Sequence, residues 1–233
     1  MKNYITIENE YFEIFIPESL KDYGYEVLDY STNKIKEYFN FFNESEYDEK
    51  IKGAFLISRE DFIKRIKNLD SNANPPSWAR GCFYGGETQI LLDIDNPYNM
   101  FSTLAHETFH LLFKKFVYDK NNMNRIVWLD ESLAGNFDGS TQKLIDNGEF
   151  KEIVYNLLNN QKLPIMNDLS FSKGNIKTND YNGYELFKIV GRYLIETKED
   201  LLGYINDENK VLMDGNNILK DSLYYFCDKY NKN

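Results

Sequence analysis

Apolar and polar positions alternate from Tyr4 to Ile16 (YITIENEYFEIFI), mixing β-branched and aromatic residues with charged ones, which predicts a strand or hairpin closed by Pro17. From Ser19 to Phe42 the period changes. Leu20, Val27, Leu28, Ile35 and Phe39 recur at helical intervals, so a helix is expected there. The short apolar run Lys52 to Ile57 (KGAFLI) predicts a buried strand, and Ser58 followed by Glu60 and Asp61 opens a helix to about Leu69. SNANPPS, Ser71 to Ser77, is a loop.

The stretch Trp78 to Ile94 (WARGCFYGGETQILLDI) carries a second hairpin. Gly85-Gly86 predicts a tight turn between an edge strand, about Ala79 to Tyr84, and an inner strand, about Thr88 to Ile94. Asn96-Pro97 then caps a helix that runs to about Tyr118, with Leu104, Leu111 and Leu112 on its packing side. Beyond a polar loop, the chain reads as helices at Thr141–Asn160, Tyr184–Thr197, Lys198–Ile205 and Asn217–Tyr230. The shift near residue 120 predicts an α+β fold. An N-terminal subdomain, 1–120, carries a mixed sheet with helices, and a mainly helical subdomain, 121–233, follows, with a cleft between them.

Composition narrows the classes. Of the 233 residues 42% are hydrophobic and 16% aromatic, enough for a packed core. The net charge of −10, without a basic cluster, argues against nucleic acid or an anionic membrane as partner. No run approaches the about 18 apolar residues of a membrane span, and the start, MKNYITIENEYFEIF, lacks an export-type apolar core. A cytoplasmic protein is therefore expected. Cys82 and Cys227 stand far apart without metal-type spacing and are expected as free thiols.

The chain's two histidines both lie in FSTLAHETFHLLFKKF, Phe101 to Phe116. His106 and His110 are four apart, which on a helix places both imidazoles on one face, able to reach one ion. Zinc takes imidazole nitrogen readily and keeps one position open in catalytic sites. Glu107, between the two ligands in the His-Glu-x-x-His pattern, can take a proton from water in that position.

A catalytic zinc site needs a third ligand, here Asp, Glu or Cys since no histidine remains. WLDESLA, Trp128 to Ala134, offers Glu131 after a gap long enough for a reversal and a second helix. On the residues alone, Asp130 also reads as a helix cap and Glu131 as an ordinary first-turn carboxylate.

HETFH followed by WLDESLA resembles the gluzincin metallopeptidases, in particular the aminopeptidase N-like catalytic domain and its small bacterial relatives. The resemblance covers roughly residues 50 to 205 and implies a zincin-like fold. It implies His106, His110 and Glu131 as ligands of one Zn2+ ion and Glu107 as the general base. It places the Ala79–Tyr84 strand where the family binds substrate, so Cys82, Phe83 and Tyr84 would pair through their backbones with an extended peptide. YELFKIVGRYLIE resembles the family helix whose first Tyr stabilises the oxyanion, which implies Tyr184, with Tyr181 as the near alternative. Ser132 stands where the family usually has Gly. Gly85-Gly86-Glu87-Thr88-Gln89 stands where the aminopeptidases carry G-x-M-E-N, whose Glu binds the substrate's amino terminus, but without its Met and Asn. Glu87 is the one candidate for that role, and the implied activity is hydrolysis of a peptide or protein substrate with exo- or endo-cleavage left open. The rival expectation is a non-catalytic zinc-containing binding or regulatory module on the same scaffold.

Overall fold

The computed structural model describes residues 3–75, 77, 79–160, 162–171 and 176–231. Pro76 and Trp78, from the loop and hairpin stretches read above, lie outside the described residues. The fold is α+β. Two compact units divide the chain, Met1–Phe109 and His110–Asn233.

In the first unit β1 (Tyr4–Glu8) and β2 (Phe12–Pro17) form the expected antiparallel hairpin. Helix α1 (Lys21–Phe42) then crosses to β3 (Ile51–Leu56), parallel to β2. Asn43, in the left-handed region at φ 56°, ends α1. Helix α2 (Arg59–Leu69) begins where Ser58 Oγ accepts from the Asp61 amide at 3.1 Å. The second hairpin is β4 (Gly81–Tyr84) and β5 (Glu87–Leu91), and β5 runs parallel to β3. Gly85 and Gly86, at φ 58° and 81°, supply the positive φ values this two-residue turn requires. The mixed sheet has the order β1-β2-β3-β5-β4, so β4 is an outer strand, as read from the sequence.

Alternation along the strands sorts side chains onto two faces. Ala54 and Leu56 join Phe62 and Ile66 of α2 in one buried cluster, with Cys82, Tyr84 and Leu91 packed against it. Gly53, of opposite parity, faces the motif helix: a Cβ there would sit 3.3 Å from Leu104 Cδ1.

On the α2 face, Glu87 is buried and takes two bonds from Arg65, at 2.5 and 2.7 Å, with a third from Gln89. Burial works against the Glu87 carboxylate, but these bonds outweigh it and lower its pKa. A carboxylate with a folded pKa below its unfolded value contributes stability above the unfolded pKa, about 4.3, and loses it as pH falls through the folded value. Glu87→Gln is therefore expected to lower stability by about 2 kcal/mol at pH 7 and to flatten the acid limb of a denaturation series. Equal urea midpoints for both proteins at pH 7 would contradict this.

The motif helix is shorter than its apolar pattern. A 3₁₀ turn (Pro97–Met100) precedes α3 (Thr103–Phe113), and a π-helical stretch (Lys114–Asp119) follows it. Lys114 and Asp119, five residues apart, pair at 2.6 Å, a spacing that a π turn brings into line.

The second unit is helical. Helix α4 (Val127–Phe137) packs closely on α7 (Gly183–Thr197): a Cβ on Gly191 would lie 2.1 Å from the Ser132 carbonyl oxygen. Asn136 bridges the pair, donating to the Ser132 and Lys188 carbonyls at 2.8 and 3.0 Å. The expected helix Thr141–Asn160 is two helices, α5 (Ser140–Asp146) and α6 (Glu149–Leu158), broken at Gly148, φ 80°. After the short α8 (Leu201–Ile205), α9 starts earlier than read, spanning Glu208–Asn231. Gly215 lies within it, against Asn167 Oδ1, so the glycine serves a close approach and not a helix end. No helix among the described residues is long and apolar enough to cross a membrane.

Candidate metal centre

His106 and His110 lie one turn apart on α3, as their spacing requires. Glu131 comes from the first turn and a half of α4, and the reversal between the helices is held tightly. The Tyr118 hydroxyl accepts from the Ile126 amide and donates to the Ile126 carbonyl, each at 3.2 Å. Trp128, fully buried, donates through Nε1 to Ser170 Oγ at 3.1 Å, and the Val127 amide donates to the Ser170 carbonyl. These bonds fix where α4 begins and so where Glu131 points.

One ligand atom each from His106, His110 and Glu131 lies within 4.8 Å of the others. His110 Nε2 and Glu131 Oε2 are 3.6 Å apart. Ligands 2.0–2.2 Å from one tetrahedral ion stand about 3.4 Å from each other, so the His110–Glu131 pair already stands close to ligating distance. The donor set, two imidazoles and a carboxylate, suits zinc. The residues therefore fit one divalent ion.

Asp130 is part of this arrangement in a way the sequence did not indicate. It is not the cap of α4, whose N-cap is Ile126. Its Oδ1 lies 2.6 Å from His110 Nδ1, and its Oδ2 accepts from Arg125 Nε. An ionised carboxylate only accepts, so Nδ1 carries the proton and Nε2 is left to face Glu131. Burial disfavours charge on His110, but the Asp130 and Glu131 carboxylates outweigh it and push its pKa up to about 9. A metal ion and a proton would compete for Nε2.

Glu107 is set against the start of β4. A Cβ on Gly81 would lie 3.1 Å from Glu107 Oε1 and 2.8 Å from Thr103 Cγ2, so a larger residue here would press on Thr103 and move this carboxylate by a few tenths of an ångström. Burial, followed by the Glu107 charge, pushes the Cys82 thiol up to about 12. The thiol is thus protonated at neutral pH, and both cysteines are free as expected.

The three β4 residues divide by parity. Cys82 and Tyr84 pack on the α2 face, whereas Phe83 points to the opposite face. The Leu91 amide donates to the Arg80 carbonyl at 2.7 Å, and an antiparallel ladder alternates its bonded pairs. Cys82 and Tyr84 accordingly turn their backbone groups toward β5, while Gly81 and Phe83 turn theirs to the outer side of the sheet.

Tyr184 occupies the first turn of α7, two turns before the Gly191 crossing with α4. Its ring packs edge-on against Phe187, with the Lys177 ammonium over its face. Tyr181 lies in the preceding loop, its amide bonded to Thr178 Oγ1. Asp130, Arg125 and Gly81 thus join the residues that sequence reasoning singled out. The one sequence-level signal for the first two was an Arg five and six residues ahead of adjacent carboxylates. No protein-family model matches the chain, and no curated protein matches it.

Proposed function

We propose that the protein is a zinc-dependent peptidase of gluzincin type. One observation carries the reading: two histidines a helical turn apart, with a glutamate from the next helix, gather three ligand atoms within 4.8 Å. Such sets can bind structural ions too. Two features favour catalysis: Glu107 follows the first ligand, and Gly81 gives its carboxylate room beside an outer strand.

Zinc held by His106, His110 and Glu131 would supply Lewis acidity and lower the pKa of water toward about 7. Glu107 accepts the proton of the attacking water as its oxygen bonds to the scissile carbonyl carbon. As the carbon–nitrogen bond breaks, Glu107 returns that proton to the departing amine. Tyr184 is proposed to donate a hydrogen bond to the developing oxyanion. An extended substrate would pair with the outward backbone groups of Gly81 and Phe83, which brings its backbone alongside Glu107.

Glu87 does not favour an amino-terminal specificity. Its carboxylate is engaged by Arg65 on the α2 face, so it is not placed to hold a substrate's free amine. Hydrolysis within a chain is the reading that needs no other group.

The test is cleavage of an unstructured protein such as casein by protein loaded with zinc, removed by chelation and restored by added zinc. Zinc binding without any cleavage would instead leave a non-catalytic module. A second expectation concerns Gly81. Gly81→Ala should keep zinc bound while shifting Glu107, which lowers turnover by up to about 100-fold. Unchanged turnover would remove Gly81 from the argument.

A further inference from the structure

The two oxygens of Glu131 are treated differently by their surroundings. Oε2 faces His110 Nε2 at 3.6 Å, whereas Oε1 accepts from Arg125 Nη2 at 3.2 Å. The same guanidinium donates through Nε to Asp130 Oδ2, and Asp130 Oδ1 holds His110 Nδ1 at 2.6 Å. One planar fork therefore touches the partner of one candidate ligand and the spare oxygen of another. Arg125 can do this because it stands just ahead of α4, where Asp130 and Glu131 follow one another at the end of the first turn.

A carboxylate ligand can bind an ion through one oxygen or through both. With both, Glu131 would add a fifth ligand and crowd the position that a catalytic site keeps for water. We propose that Arg125 is a positioning residue that holds Glu131 to one-oxygen ligation and, through Asp130, sets the His110 ring. The inference rests on the metal reading of His106, His110 and Glu131, and adds to it a group that is neither ligand nor base. Lysine is no substitute. A single ammonium cannot reproduce the two in-plane donors that serve two neighbouring carboxylates.

The experiment replaces the ion with cobalt(II), whose visible absorption is strong in four-coordinate sites and weaker in five-coordinate ones. Wild-type protein, Arg125→Met and Arg125→Lys are each loaded with cobalt, and their zinc affinities are measured by competition with a chelator. Wild type is expected to give the strong four-coordinate bands. Both variants are expected to give the weaker bands and to bind zinc about 10- to 100-fold less tightly. Arg125→Lys keeps the positive charge and carries the test should Arg125→Met not fold. Unchanged bands in the variants, with or without a loss of affinity, would overturn the positioning role while leaving the metal site standing. Wild-type protein that takes up neither cobalt nor zinc would overturn the metal reading, and this inference with it.

Discussion

Native protein is expected to carry close to one zinc ion per chain, and His110→Ala to carry none. His110 is the pivot of the site. Its Nε2 is 3.6 Å from Glu131 Oε2, and its Nδ1 is held by Asp130 at 2.6 Å. Without it only His106 and Glu131 remain, one ligand short of the three that catalytic zinc ordinarily takes from protein. The loss should also appear in stability. An ion present at about 100 times its dissociation constant contributes about 2.7 kcal/mol to the folded state, which in a chain of this size raises Tm by about 5–10 °C. Added zinc should therefore raise the melting temperature of the native protein by about that much and leave His110→Ala unmoved. Elemental analysis and paired melts check both halves. Absence of metal from the native protein, even after zinc is added back, would make the histidine spacing a coincidence and end the enzyme reading.

The parts legible in the sequence are those set by local rules. A four-residue histidine spacing needs only a helix to become one face, and α3 supplies it. The Gly85-Gly86 turn needed only two residues at positive φ, and the hairpin follows. What stayed hidden depends on partners distant in the chain. Asp130 read as a cap because nothing local ties it to an imidazole 20 residues upstream. Gly81 read as one more strand residue, since its neighbour Glu107 lies on another element. Strand alternation puts Glu87 and Thr88 on opposite faces, but nothing local says that Arg65 of α2 waits on the Glu87 side. Helix ends erred for a related reason. Gly148 ends a helix while Gly215 does not, and the difference is Asn167, packed against the second.

Glu107→Gln is expected to lower hydrolysis by about 10²- to 10⁴-fold while zinc stays bound. Gln has the shape of Glu, so it fits the space that Gly81 leaves and disturbs neither histidine. Its amide cannot accept a proton from water at neutral pH, so the loss should fall on kcat with little change in KM, as for an interaction made only in the transition state. Zinc content separates this from a folding or binding defect, because Glu107 is not among the three gathered ligands. The comparison with Gly81→Ala sharpens the assignment. That variant keeps the proton acceptor and moves it, whereas Glu107→Gln keeps the position and removes the acceptor. If Glu107 is the base, the double variant should be little worse than Glu107→Gln alone, since a group without basicity gains nothing from its place. Full hydrolysis by Glu107→Gln would mean that another group accepts the proton. A double variant losing the product of the two single effects would mean that Gly81 acts on something other than Glu107.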